Sequence, residues 1–350
     1  MTTPTFERRL LSRRLAYPPS VLFRNPLSPG QIAARDVLLG KLSRGEYKLE
    51  TVACFCGGAR FRVLAEVDRY RLPVQTVLCL DCGLLGTNPR MDQDSYARFY
   101  ADEYRPLYEG QQDDLKPSYA WTLAESKKLM SFLSPHLPSR PGLAMELGAN
   151  MGATLSLFQQ AGWEARGADY GRAHIEAGRE LSGVRGLEVG GVERLEQMNV
   201  KADLFILQHV LEHFLDLPGQ LGRIRSLIKP DGLLYVEVPG LYDWVPGNCS
   251  GDLLGYLQNA HTYHFTSATL DYVLGCAGFK RVAGDEYIRS VYAPTGAKRA
   301  LSDVPPGEAL RTEAFLRSAE RRLQPRLILK RACAALGLLT LRDRARISRR

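Results

Sequence analysis

The chain has 350 residues, which allows about two domains, and 45% of them are hydrophobic, enough for a sizeable core. No run reaches the ~18 apolar residues that a membrane-spanning helix needs. The net charge of +8 is uneven: residues 311–350 hold 12 Lys/Arg against 3 Asp/Glu, and residues 1–25 hold 5 Arg against 1 Glu. The rest of the chain is therefore mildly acidic, which argues against a nucleic-acid channel through the body and leaves basic ends that can touch anionic surfaces.

Residues 1–48 are predicted to form a basic N-terminal arm. Ser28 followed by Pro29 has the composition of a helix start, so we expect a helix from Pro29 to Leu42.

Two cysteine pairs, each followed by glycine, come next: Cys54-Phe-Cys56-Gly57 and Cys79-Leu-Asp-Cys82-Gly83. Four thiolates with this spacing suit a tetrahedral zinc ion, so residues 49–92 are predicted to be a zinc-binding module. Because four thiolates leave no open position, the zinc is expected to be structural. Cysteines without metal remain the alternative. Disulfides are disfavoured because the chain shows no secretory signal and has seven cysteines, an odd number.

Residues 93–135 are predicted to be a helical cap or linker. Tyr96, Tyr100 and Tyr104 recur every four residues and would share one helix face. Such a stripe either packs inside the protein or offers rings and hydroxyls to a sugar, and both interpretations stay open.

Residues 136–295 alternate strand and helix patterns, as in a doubly wound α/β sheet. The apolar run Leu143–Met145 leads into Glu146, a turn with Gly148 and Gly152, and a helical pattern over 153–161. Asn150 stands where a middle glycine is common, but asparagine tolerates a left-handed backbone. A second strand-like run, Glu164–Ala168, ends at Asp169, an acid placed to accept hydrogen bonds from both hydroxyls of a ribose.

Further along, the buried strand pattern 202–207 runs into Gln208-His-Val-Leu-Glu-His213, and the turn Lys229-Pro-Asp-Gly232 precedes the strand pattern Leu233–Val238. With the 146–152 loop and Asp169, these ordered motifs resemble class I S-adenosylmethionine (SAM)-dependent methyltransferases over about residues 140–285. The departures are Asn150 and Val192, where many relatives carry an acid near the adenine.

The resemblance implies a Rossmann-like methyltransferase sheet and SAM as the cofactor. The residues that it implies for SAM binding are Glu146, Gly148, Asn150, Gly152, Asp169, Gln208 and His209. Together with the cysteines and tyrosines, residues 50–295 are similar to a methyltransferase subgroup with an N-terminal zinc-binding module, which often modifies sugars of surface polysaccharides or natural-product glycosides.

A hydroxyl acceptor needs a general base with a pKa near working pH, which favours histidine. His261 and His264 precede a predicted helix near Ser267 and are the first candidates; His213 is the next, because the resemblance implies that the Glu212–His213 pair lies beside the methyl donor. Each histidine alone could instead be a structural hydrogen-bonding group. His209, Glu212 and His213 also invite a second metal, although their H-x-x-E-H spacing differs from the H-E-x-x-H zinc motif and a third ligand is not evident.

Residues 296–350 are predicted to be a linker and a basic amphipathic tail. Its apolar stretch, 327–341, is flanked by arginines and would dock either on protein, including a second subunit, or on an anionic membrane surface. We expect a cytoplasmic protein, with a peripheral position at the inner face of the membrane as the alternative.

The function favoured is methyl transfer from SAM to the oxygen or carbon of a sugar, sugar nucleotide or glycan. The alternatives are an RNA methyltransferase with a zinc module, which the acidic body disfavours, and a non-catalytic scaffold.

Overall fold

The computed structural model describes residues 3–19, 27–108, 110 and 114–335. The chain divides into two compact units. Unit 1 comprises Met1–Gln111, Leu241–His264 and Val304–Arg350, and unit 2 comprises Gln112–Gly240 and Phe265–Asp303. Residues 336–341 of the predicted apolar stretch, and the arginine-rich sequence after them, lie outside the described residues.

The N-terminal part of unit 1 begins with a strand and a capped helix, followed by short strands and two helices. Their bounds are β1 (Thr5–Arg8), α1 (Pro29–Ser43), β2 (Leu49–Glu50), β3 (Arg60–Ala65), β4 (Thr76–Cys79), β5 (Leu85–Thr87), β6 (Arg90–Met91), α2 (Gln93–Asp102) and α3 (Tyr104–Tyr108). The predicted start of α1 is confirmed: Ser28 accepts a hydrogen bond from the Gln31 N–H and the Gln31 side chain reciprocates, which is a capping box.

Unit 2 then starts with a long helix and alternates strands and helices. These are α4 (Lys116–Leu133), β7 (Leu143–Leu147), α5 (Ala153–Gln160), β8 (Glu164–Asp169), α6 (Arg172–Leu181), β9 (Leu187–Val189), α7 (Val192–Gln197), β10 (Ala202–Gln208), α8 (Leu217–Ser226) and β11 (Ile228–Glu237).

The remaining chain returns to unit 1, completes unit 2 and ends in unit 1. The elements are α9 (Leu241–Gly247), α10 (Leu253–Tyr256), β12 (Tyr263–His264), α11 (Ser267–Cys276), β13 (Phe279–Gly284), β14 (Arg289–Pro294) and α12 (Glu308–Ala335). No helix among the described residues is both long and apolar enough to span a bilayer.

In the described part of unit 2, seven strands form one sheet in the order β13-β14-β11-β10-β7-β8-β9. Strands β7 to β11 are parallel, whereas β14 runs antiparallel to β11 and β13. In β10 the consecutive residues Leu204 to Leu207 are all fully buried. Since neighbouring side chains point to opposite faces of a strand, both faces of this sheet are covered, as in a doubly wound α/β fold. The fold class predicted for this part of the sequence is confirmed.

The predicted turn Lys229–Gly232 lies within β11. The pairing with β10 jumps from Ala202–Ile228 to Leu204–Leu233, so the turn residues form an irregular bulge inside one strand. The strand therefore begins five residues earlier than the pattern from Leu233 indicates.

Unit 1 has two sheets among its described residues: β1-β3-β4-β5-β12 and the pair β2-β6. Strand β12 pairs with β5 through Tyr263–Gly86 and His264–Leu85, contacts that join distant parts of the chain. The core beneath the larger of these sheets also takes in a residue of the C-terminal helix, Leu316, which is fully buried.

Candidate active site and cysteine cluster

The sheet of unit 2 changes its direction of growth between β7 and β10. From β7 the chain adds β8 and β9 on one side, and then crosses to add β10 and β11 on the other. Ligands of open α/β sheets bind at such a switch point, outside the carboxyl ends of the strands. Those ends carry Leu147, Asp169, Gln208 and Glu237, so three polar side chains come to this edge.

The loop after β7 uses left-handed backbone at three positions. Gly148 has φ +77°, Asn150 +48° and Gly152 +72°. A Cβ on Gly148 would lie 2.3 Å from Val210 Cγ2, so glycine lets this loop approach the segment that follows β10. His209, with φ +54°, makes the corresponding sharp turn there.

Asp169 fixes the geometry of the loop and keeps capacity to bind. Its Oδ2 accepts the Asn150 N–H at 3.0 Å and its Oδ1 accepts the Gly171 N–H at 2.7 Å. Each carboxylate oxygen has a further lone pair. The carboxylate can therefore accept two more hydrogen bonds, as the adjacent hydroxyls of a ribose would require.

Glu146 is 3% exposed, and its Oε2 has no hydrogen-bond partner among the described residues. Burial raises the pKa of its carboxyl to about 8. The hydrogen bond from Thr154 opposes this rise, whereas the charge of Asp169 adds to it. The Asn150 Oδ1 is also buried without a described partner. Buried polar atoms are seldom left unsatisfied, so two such atoms beside an open loop fit a site completed by a polar ligand.

A hydrogen-bonded network behind this edge was not predicted from the sequence. The Gln208 Nε2 donates to Glu237 Oε2 at 3.1 Å, and the Tyr235 hydroxyl donates to the same oxygen at 2.8 Å. Thr154 Oγ1 lies 3.4 Å from Gln208 Oε1 and 2.9 Å from Ser126 Oγ. The network orients the Gln208 amide. The sequence offered one signal for Glu237: it is an acid at the end of a strand, as Asp169 is at the end of β8.

After β10 the chain forms a single 3₁₀ turn, Leu211–His213. The Glu212 Oε1 lies 3.6 Å from His209 Nδ1 and 3.9 Å from His213 Nε2. Burial lowers the pKa of His209, but the hydrogen bond and negative charge of Glu212 outweigh it, so the net shift is upward. The buried carboxylate thus favours a protonated ring at His209.

His261 and His264 belong to unit 1, whereas His209 and His213 belong to unit 2. Both unit 1 histidines are buried, 5% and 2% exposed, with their ring centres 5.8 Å apart. The His261 ring contacts the Gln258 amide, and its carbonyl oxygen accepts the Thr87 hydroxyl at 3.0 Å. The structure therefore brings this predicted pair together and holds its backbone against β5.

The predicted tyrosine stripe extends to Tyr108. The rings of Tyr100 and Tyr104, and those of Tyr104 and Tyr108, stack with centres 4.6 Å apart. The Tyr96 hydroxyl donates to the Ala260 carbonyl at 2.6 Å, and the Tyr108 hydroxyl accepts the Ala260 N–H at 3.0 Å. These tyrosines pack on the segment that carries His261.

The four predicted cysteines converge in unit 1, with all four Sγ atoms within 4.8 Å of one another. The Cys54–Cys82 sulfurs are 3.5 Å apart and the Cys56–Cys79 sulfurs 3.7 Å apart, far beyond a disulfide bond. Sulfurs bound at 2.3 Å to one tetrahedral ion lie about 3.8 Å apart. The Gly58 N–H also points at Cys56 Sγ, at 3.4 Å. The donor set and its spacing fit zinc.

Residues 121–283 match the sequence model of a methyltransferase-domain family. A curated relative, the C-methyltransferase NovU of Streptomyces niveus, is 34% identical over 118 residues, 30% of this chain and 26% of NovU. The chain thus spans about a quarter of the length of this relative.

Two solved structures resemble this chain at low sequence identity. The 1,6-didemethyltoxoflavin-N1-methyltransferase of Burkholderia thailandensis, solved with S-adenosylhomocysteine, is 17% identical, with a TM-score of 0.43 over 62% of this chain and 97% of its own. The magnesium protoporphyrin IX methyltransferase of Synechocystis is also 17% identical, with a TM-score of 0.38 over 57% and 95%. The domain assignment rests on the family match.

Proposed function

We propose that residues 121–283, which match a methyltransferase-domain model, act as a class I SAM-dependent methyltransferase domain. The proposed acceptor is a sugar, a sugar nucleotide or a glycan. The sugar class is supported by the sequence resemblance to methyltransferases that have an N-terminal zinc-binding module. Transfer to carbon is supported by the relative, which is named a C-methyltransferase.

The proposal rests on the site at the carboxyl edge of β7 and β8. Asp169 has lone pairs left for a ribose, and Glu146 offers a buried oxygen without a described partner. Gly148 lets the loop pass close to Val210, where a Cβ would clash. When bound, SAM supplies a methyl group activated by its sulfonium. The residues of the chain orient the nucleoside and exclude water, since precise placement of methyl and nucleophile supplies much of the rate.

The acceptor must also lose a proton, and we assign this step to a histidine. His261 and His264 are the first candidates and His213 the next, where the Glu212 carboxylate can orient the ring and stabilise its protonated form. Neutral imidazole in any of these positions would take the proton at a ring nitrogen.

The domain assignment and the acceptor class are tested in turn. Calorimetry should show that the wild-type protein binds SAM and that Asp169→Asn weakens binding about tenfold or more, the effect of losing hydrogen bonds to a charged acceptor. Asp231→Asn, which changes an exposed acid of unit 2, is the control.

Mass analysis after incubation with sugar nucleotides and glycans should show one added methylene, and fragmentation should place it on carbon. Failure to bind SAM contradicts the activity; methylation of RNA instead contradicts the acceptor class.

The base is tested with His213→Gln, His261→Gln and His264→Gln. The variant that removes the base should lose at least about a hundredfold in turnover while its calorimetric SAM affinity stays unchanged. Full turnover in all three variants would contradict histidine as the base.

We also propose that the cysteine cluster holds a structural zinc ion through Cys54, Cys56, Cys79 and Cys82. One ion held by these thiolates would tie the segment before β3 to the end of β4, so metal binding contributes directly to the stability of this part of unit 1. Cys82→Ser should lose bound zinc, measured by atomic emission, and become insoluble. Cys276→Ser changes a free cysteine outside the cluster and is the control. A soluble, zinc-free and fully active Cys82→Ser protein would contradict the structural role.

A further inference from the structure

The C-terminal helix α12 separates its charges by sign. Its three acids, Glu308, Glu313 and Glu320, are 1%, 7% and 1% exposed. Arg321, Arg322 and Arg326 are all exposed. Along the described side chains of α12, negative charge is thus turned into the protein and positive charge outward.

The buried acids are neutralised from inside unit 1. Glu320 receives two hydrogen bonds from the Arg14 guanidinium, both at 2.6 Å, and one from Ser12. Glu313 pairs with Arg62 and, at 2.7 Å, with Arg317. These carboxylates are therefore committed to internal partners and are not placed to offset the outward arginines.

The basic N-terminal segment lies along the same helix. The Arg317 guanidinium donates to the Arg9 carbonyl at 3.1 Å and to the Leu10 carbonyl at 3.5 Å. Arg9 and Arg13 remain exposed. The two basic ends of the chain, separate in sequence, are thus brought to one part of unit 1.

Apolar side chains lie among the outward arginines. Ile328 is 61% exposed and Leu329 65%, whereas Leu323 and Leu327 of the same helix are buried. At 100° per residue, Ile328 and Leu329 fall on the arc that holds Arg321, Arg322 and Arg326, opposite the buried leucines. The sequence continues with Leu336, Leu338, Leu339 and Leu341 and ends in arginines.

We propose that this basic face of α12 (Arg321, Arg322, Arg326, Ile328 and Leu329) docks on an anionic membrane surface. Arginines gain attraction from acidic headgroups, and adjacent Ile and Leu side chains can enter the headgroup boundary. A nucleic acid or another polyanion would use the arginines but would leave the apolar pair exposed to water, so a lipid surface matches the whole face. The proposal does not depend on the acceptor of the methyl group.

The test is flotation of the full-length protein with vesicles of phosphatidylglycerol and phosphatidylcholine in equal amounts. Wild-type protein should float with these vesicles, less so at high salt, and should not float with phosphatidylcholine alone. Reversing three charges with Arg321→Glu, Arg322→Glu and Arg326→Glu should reduce binding at least about tenfold. Lys127→Glu, Arg185→Glu and Lys201→Glu reverse three exposed charges of unit 2 and are the matched control.

A second variant, Ile328→Ser with Leu329→Ser, tests the apolar part and should also weaken flotation. An unchanged circular dichroism spectrum and melting temperature confirm that each variant is folded. Equal flotation of the wild-type and triple-Glu proteins overturns the proposal. It is also overturned if wild-type protein ignores vesicles but binds RNA or heparin, or if it forms a dimer that the same substitutions disrupt.

Discussion

Burial decides the protonation state of Glu146. A carboxyl group in an apolar interior is harder to ionise, and its pKa of about 8 keeps it largely neutral near pH 7. Asp169, at the end of the next strand, is instead half-buried and accepts hydrogen bonds from two backbone N–H groups. Two acids at one sheet edge therefore differ in their environments, one buried with an oxygen free and one hydrogen-bonded to the loop.

Because the pKa of Glu146 differs between the folded and unfolded states, the stability of the protein depends on pH. Glu146→Gln should remove that dependence. In the unfolded chain a glutamate titrates near 4.3, but in the fold Glu146 titrates at about 8. Below the lower value both states are protonated and there is no cost. As pH rises toward 8 only the unfolded state loses its proton, so the free energy of unfolding falls by up to about 4 kcal/mol.

Urea unfolding of the protein without cofactor, at several values between about pH 5 and about pH 8, measures this effect. The gain in stability of Glu146→Gln over wild type should grow with pH across that range. Glu188→Gln, at an exposed position of β9, should show no such trend. A pH-independent difference between Glu146→Gln and wild type would rule out the explanation.

Gly148 is predicted to be required for cofactor binding for two separable reasons. An alanine there meets both a left-handed backbone and Val210 Cγ2 at 2.3 Å. Gly183 has a similar φ of +69° but open space around it, so Gly183→Ala carries only the strain, about 1–2 kcal/mol. Gly148→Ala should weaken SAM binding at least about tenfold by calorimetry while Gly183→Ala leaves it unchanged. Adding Val210→Ala should restore part of the loss; no recovery would mean that strain alone is responsible.

Local sequence signals were sufficient to predict a helix, strand or turn where the motif and the structure that it forms share the same few residues. The capped start of α1, the strands before Glu146 and Asp169, and the left-handed turn at Asn150 follow from neighbouring side chains. The bulge in β11 was missed because Pro230-Asp-Gly232 is a turn signal on its own, and only pairing with β10 keeps it in a strand.

The network around Gln208 could not be predicted for the same reason. Gln208 and Glu237 meet because β10 and β11 pair side by side, and Thr154 reaches them from the helix that follows β7. Such contacts depend on strand order, which a single sequence leaves open. The same holds for the pairing of β12 with β5, which fixes the segment after His261.

The two glycines that follow the cysteine pairs are predicted to differ in importance. Gly57 and Gly83 have nearly the same φ, +82° and +79°. A Cβ on Gly83 would lie 2.7 Å from the Ala309 backbone nitrogen at the start of α12, whereas nothing lies within 4 Å of a Cβ on Gly57. Gly83→Ala should therefore lower the melting temperature and the zinc content more than Gly57→Ala, which bears backbone strain alone. Equal losses in the two variants would show that contact with α12 is unimportant.

At the scale of the whole chain, the C-terminal helix is a structural part of unit 1 as well as a candidate docking surface. Leu316 belongs to the core, and Glu320 is held by Arg14 near the other end of the sequence. Removing residues after 303 would open that core, so loss of membrane binding in a truncated protein would not identify the outer face of α12. Point changes on exposed positions avoid this problem.

Buried ion pairs connect the two ends of the chain. Arg14 is 4% exposed and contacts Glu320 and Asp252 at 2.6 Å and 2.7 Å. Burial alone lowers the pKa of Arg14, but the two acids outweigh it and keep the guanidinium charged. Glu320→Gln leaves this charge buried with one acid, and should lower the free energy of unfolding by about 3 kcal/mol, the cost of breaking a buried pair.

Urea unfolding of Glu320→Gln, Arg14→Met and the double variant measures the coupling. Because each single change leaves a buried charge without its partner, the double variant should be destabilised by less than the sum of the two. Glu180→Gln, at an exposed position of α6, should change stability little. If the two single effects simply add, Arg14 and Glu320 act independently and the connection between the chain ends must come from apolar contacts such as those of Leu316.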